Sequence, residues 1–370
     1  MWPLLACSPD EPANRPRPDA DASTFGLPPV TSALPTLTEP PPDDPPRCGG
    51  GLVLVTFTAP VLSGALLIDA FGAVQWAWTT DDPTIHVIRA RPARDGDGVF
   101  VLVGDREVDN GDRGEILRLD ANADLVSTTE VRDPHHDFVE LPDGRLAWLA
   151  YEFSMPSDGA TQQFLATDRV WAVPEGGGDA EVLFSTLADW TWLQRMDVPP
   201  EGQDGRSMPG YLDWGHGASL VWRDSDERLF LMWRFQDMMI AIGQDGVDWA
   251  WGTEYGDLRG SDSFVHAHVS EIWDGGALVF DNRRSDRSRL VEYTFDDERF
   301  EKVWEWRADT FEAGIGDVRR MPEACGSVLS SWPSQGRLVE VTGDGDERWS
   351  LTFGAAVERI EVLERPPFAE

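Results

Sequence analysis

A chain of 370 residues with 41% hydrophobic content is long enough for one large domain plus a tail. Its 35 Gly, 27 Pro and 17 Trp favour many short strands and turns over long helices. The net charge of −35 argues against nucleic acid as a partner. A single lysine, Lys302, leaves almost no room for Schiff-base or P-loop chemistry.

The N-terminus reads MWPLLACSPDEPANRPRPDADAS, and Leu4-Leu5-Ala6-Cys7 matches a bacterial lipobox, in which the cysteine is lipidated and becomes the first mature residue. The charged and apolar regions of a signal peptide are cut short, which predicts a start codon further upstream. An accidental LLAC in a disordered tail is the alternative. Pro, Asp, Ser and Thr dominate from Ser8 to Arg47 with little to bury, so residues 1–47 read as a disordered linker and 48–370 as the folded domain. The expectation is a lipoprotein of the periplasm or cell envelope of a Gram-negative bacterium, touching the membrane only through Cys7.

From Gly50 onward the chain repeats every 40 to 50 residues or so, the period of propeller blades. Blade one is GLVLVTFTAPVLSGALLIDAFGAVQWAW, and blade two holds Val99 to Val103 followed by GEILRLDANADLVSTTE. Blade three starts HHDFVELPDGRLAWLAYE. Blade four shows its four strands most clearly, at Ala218 to Trp222, Arg228 to Trp233, Met238 to Ile242 and Val247 to Trp251, with tight polar turns between them. Blade five begins at HAHVSEIW and blade six at GDVRRMPEACGSVLSSW. The predicted fold is therefore all-β, a six-bladed β-propeller. Ala356 to Leu363 is one further strand, expected to complete blade one and close the ring. Ala188 to Gly210, with Trp190 and Trp192, is an insertion without a repeat partner. Cys48 and Cys325 fall in the first and last blades, which a propeller brings together, so either a disulfide or two buried thiols is expected there.

Five of the six histidines, His135, His136, His216, His266 and His268, stand at or just before the first strands of blades three, four and five, while His86 lies elsewhere. Innermost strands begin at one end of the channel, so these residues converge in space. Such a cluster suits either a metal centre with an open position or group transfer, in which one imidazole attacks and the others stabilise oxyanions. Arg234 favours the second use, because a guanidinium repels a metal ion but clamps an oxyanion. Asp137 and Asp213 either orient these histidines or serve as turn carboxylates.

The motifs GALLIDAFGAVQWAW, HHDFVELPDGRLAWL, DWGHGASLVW, MWRFQDMMIAIGQDGVDWAWG and FVHAHVSEIWDGGALVFDNRRSDRSRLVEY resemble, in order, those of the bacterial arylsulfate sulfotransferase family. The similarity runs from about Gly51 to the C-terminal strand. It implies nucleotide-independent transfer of a sulfuryl group from an aryl sulfate donor to a phenolic acceptor, without cofactor or metal. It also implies His268 as the sulfohistidine-forming nucleophile, with His266 as the alternative register, and His136, His216 and Arg234 as its partners. His135, His266 and Asp213 would support the site. The chain departs from the family pattern at Ala218, Ala267 and Val269, where hydrogen-bonding side chains are usual. A non-catalytic, surface-anchored binding propeller and a metal-dependent hydrolase or lyase are the other readings.

Overall fold

Period-two alternation along each strand sends neighbouring side chains to opposite faces of a sheet, and a blade must bury both. In blade four, Leu229, Leu231 and Trp233 pack towards blade three. The intervening Phe230 and Met232 pack towards blade five. Blade one repeats the device, with Val53, Val55 and Phe57 facing blade six and Leu52 and Leu54 facing blade two.

A computed structural model of the chain describes residues 34–38, 45–105, 114–154, 164–188, 211–252, 256–283, 286–296 and 298–368. Among these residues the strands form six antiparallel blades. From the channel outward, blade two is Ile85–Pro92, Val99–Asp105, Gly114–Leu119 and Leu125–Val131. Blade three is Pro134–Glu140, Arg145–Ser154, Phe164–Pro174 and Glu181–Ser185, with Tyr211–Asp213 lying parallel to the third of these. Blade four is Gly217–Arg223, Arg228–Trp233, Met238–Gly243 and Gly246–Gly252, within a residue or so of the boundaries expected from its sequence. Blade five is Val269–Trp273, Gly276–Asp281, Arg289–Phe295 and Phe300–Arg307, and blade six is Asp317–Arg320, Ser327–Trp332, Arg337–Thr342 and Glu347–Phe353.

Blade one takes its innermost strand from Ala356–Leu363, placed beside Leu52–Ala59, Leu62–Ile68 and Val74–Thr80. The closing strand predicted from the sequence thus joins the two ends of the ring, and the innermost strands of successive blades touch all the way round. Cys48 and Cys325 form a disulfide across the same junction, with Cα atoms 5.8 Å apart. In blades one and two the turn after the third strand reuses an aspartate. Asp69 Oδ1 accepts the amides of Phe71 and Ala73, both at 2.9 Å, and Asp120 Oδ1 accepts those of Asn122 and Asp124 at 2.8 and 2.9 Å.

Two expectations need revision. Leu37–Thr38 add a fifth strand to blade six, pairing with Phe353 and Thr352, and Arg47 is buried, so the ordered structure reaches into the segment read as linker. Two residues carry no periodicity, which hides such a strand from pattern reading. The strand Ile85–Pro92 was not recognised either, and it puts His86 at the start of an innermost strand instead of apart from the other histidines. Cys7, Trp190 and Trp192 lie outside the described residues.

Candidate active site

Among the described residues, charged side chains of the innermost strands meet in the channel. Arg89 and Arg91 of blade two, Asp137 of blade three, Asp317 and Arg319 of blade six and Glu361 of the closing strand form one ion network. Arg89 Nη1 lies 2.6 Å from Asp317, Arg91 Nη2 lies 3.1 Å from Asp137, and Arg319 bridges Asp317 at 2.5 Å and Glu361 at 3.2 Å. Three arginines hold the Glu361 carboxyl far below the usual carboxylate range despite its burial. Asp137, considered from sequence as a histidine-orienting or turn carboxylate, belongs to this network and also accepts the amides of Phe138 and Leu220.

Above this plug the histidines meet. His136, His216 and His268 bring one ring nitrogen each to within 4.8 Å of one another. The His136 and His216 rings lie 4.6 Å apart, and His268 sits 6.1 and 6.3 Å from them. The backbone works to present them: His136 and His216 have φ of 54° and His266 of 55°, in the left-handed region that non-glycine residues avoid. On either side of His216 the chain needs glycine, since a Cβ on Gly217 would stand 2.7 Å from the Asp168 carboxylate. That carboxylate accepts the Gly217 amide at 2.7 Å and lies 3.2 Å from His135 Nε2.

Each imidazole has an orienting partner. His216 Nδ1 donates to Asp213 Oδ2 at 2.7 Å, which fixes the ring's orientation. His268 Nδ1 lies 2.9 Å from Asn282 Oδ1. The Asn282 amide nitrogen donates to the carbonyls of Glu312, Gly314 and Ile315 at 2.9, 2.8 and 3.1 Å, which fixes the amide orientation and makes Oδ1 an acceptor. His268 therefore carries its proton on Nδ1 and a lone pair on Nε2. His135 and His136 share a hydrogen bond between Nδ1 atoms 3.1 Å apart, and His135 stacks on Tyr151 at 4.0 Å.

Burial, aided by neighbouring imidazoles and guanidinium groups, pushes the pKa of His136 and His268 well below the usual imidazole value. For His136 those neighbours are His216, His135, Arg359 and His268; for His268 they are Arg234, His216 and Arg359, with the Asn282 hydrogen bond opposing them. Both rings are neutral nucleophiles or ligands at neutral pH.

Arg234 donates from Nη2 to the Ala313 carbonyl at 2.9 Å and packs over Phe235. His266 is separated from the trio, with Phe235 stacked on His216 at 4.6 Å on one side and 5.5 Å from His266 on the other. At the same mouth, His86 Nε2 lies 3.2 Å from Glu358. The spacing of the trio also suits a metal ion, but Arg234 and Arg359 set two positive charges against one. Sequence reading missed Asp168, Asn282 and Arg359. Asn282 stood in the quoted FDN motif, but nothing local marks its role.

The fold and the site together define a β-propeller with an imidazole trio and guanidinium groups at one mouth. The Arylsulfotransferase (ASST) family model matches residues 38–264, and the chain belongs to that family. The match includes His135, His136, Asp213, His216 and Arg234 and ends before His266 and His268. No curated protein matches. Among solved structures, the chain is similar to the periplasmic gluconolactonase of Pseudomonas aeruginosa, at 14% identity and a TM-score of 0.49, over 85% of this chain and 99% of that one. It is also similar to a protein of unknown function from Bacteroides caccae, at 13% identity and 0.46, over 71% and 80% of the two chains. AztD of Citrobacter koseri aligns at 10% identity and 0.43, over 84% and 97%. None of these likenesses bears on the chemistry.

Proposed function

We propose that the protein moves a sulfuryl group from an aryl sulfate to a phenolic acceptor, with His268 Nε2 as the attacking atom. The observation that carries this reading is the His268 tautomer: its proton is committed to Asn282, and its lone pair is free beside two more imidazoles. Nε2 attacks sulfur, the sulfur–oxygen bond to the aryl group breaks, and the phenolate leaves with the electron pair. The resulting N-sulfo histidine is resolved when the acceptor oxygen attacks sulfur and the nitrogen–sulfur bond returns its electrons to the ring. The acceptor's proton goes to solvent. His136, His216 and Arg234 offset the charge on the sulfonyl oxygens. The disulfide and the LLAC motif support a place in the cell envelope, with Cys7 as the lipid anchor.

Incubation with a fluorogenic aryl sulfate and a phenol should release the reporter, and the peptide holding His268 should gain one SO3 unit in alkaline-quenched intact-mass analysis. His268→Ala should abolish both, and a chelator should change neither. Absence of release across about pH 6 to 9 would sink the reading.

A further inference from the structure

Arg359 sits on the closing strand of blade one, only 1% exposed. Its Nη2 donates to the Ala218 carbonyl at 2.8 Å and approaches the His136 carbonyl at 3.4 Å. Blades one and four stand on opposite sides of a six-membered ring, so this side chain crosses the channel directly beneath the histidines. The two carbonyls it holds belong to His136 itself and to the second residue after His216, where the backbone takes its left-handed turns.

The charge on this guanidinium is uncompensated locally. Among the described residues Nε and Nη1 meet no acceptor. The carboxylates acting on it, Asp137 and Asp317, do so at longer range and are already engaged, Asp137 by Arg89 and Arg91 and Asp317 by Arg89 and Arg319. Arg89 and Arg319 add like charge. Burial pulls the Arg359 pKa down to about 10, which still leaves it charged at neutral pH. A buried cation without a counter-ion is costly, and an arriving anion relieves the cost.

We infer that Arg359 is a positioning residue of the histidine centre: it clasps the backbone beside the His136 and His216 turns and supplies a buried positive charge for the substrate's anionic group. The inference rests on the sulfuryl-transfer reading for the identity of that group.

The test compares wild type, Arg359→Lys and Arg359→Met in three readouts: inorganic sulfate binding by thermal shift, kcat and KM for an aryl sulfate, and the pH profile of kcat/KM. Arg359→Met should lose sulfate-induced stabilisation and about 100-fold in kcat/KM. Its acid limb should move to higher pH, since removing a positive neighbour raises the pKa of His136 and His268, leaving Arg234, His135 and His216 as the remaining charges and rings that face them. Arg359→Lys should keep the wild-type limb and sulfate binding but lose about tenfold in kcat, because an ammonium cannot reproduce the fork across two carbonyls. Equal losses in both variants with an unmoved pH profile would overturn the inference, as would wild-type kcat in Arg359→Lys, which also decides the matter should Arg359→Met not fold. Wild type that binds sulfate through Arg359 yet turns over no aryl sulfate would overturn the functional reading alone.

Discussion

Asn282 decides which nitrogen of His268 is available, because three backbone carbonyls fix its amide and leave only the oxygen to face the ring. Under the proposed mechanism the neutral His268 ring is the reactive form, and its pKa is depressed, so kcat/KM should hold down through pH 6.5 and fall only below it, as the ring protonates. Asn282→Asp places a carboxylate against Nδ1, stabilises the imidazolium and should move that acid limb upward while costing about 10- to 100-fold in kcat. A stopped assay across the pH range checks both, and an unmoved limb would show that Asn282 does not govern the ring. The histidines were legible in the sequence because they are rare and recur at blade starts. Asn282, Asp168 and Arg359 were not, because their roles depend on which strands face one another across the channel, a fact that spacing along the chain does not contain.

Among the elements, the blades were readable wherever hydrophobic alternation is strong, as from Gly217 to Gly252, and unreadable where channel-facing charge interrupts it. Ile85–Pro92 reads IHVIRARP, and its Arg89 and Arg91 obscure a strand whose job is to line the ion-filled channel. The junction of blades one and six carries the disulfide, which closes a loop of 277 residues. Constraining so long a loop in the unfolded chain stabilises the fold by about 2 to 4 kcal/mol in typical cases. Cys325→Ser should therefore lower Tm by several degrees in calorimetry, with little effect on kcat, since the bond joins blades one and six away from the imidazoles. An unchanged Tm would mean that the closing strand alone holds the junction.

On the scale of the whole molecule, a chain with net charge −35 surrounds a mouth to which Arg234 and the buried Arg359 supply positive charge. Under the proposed function an anionic donor crosses that field, so its KM should fall as salt rises through the range in which the Debye length shrinks from about 30 to about 8 Å. Stopped-flow binding at graded sodium chloride reads the effect directly, and a KM that climbs with salt would show that the local cations outweigh the surface. The strand Ala356–Leu363 carries a temporal consequence as well. It leaves the ribosome after every other strand described here, yet it delivers Arg359 to the floor of the site and Glu361 to the ion network. A nascent polypeptide lacking it has all three imidazoles but no finished chamber around them, so under the proposed function the site is assembled only once this strand has been made.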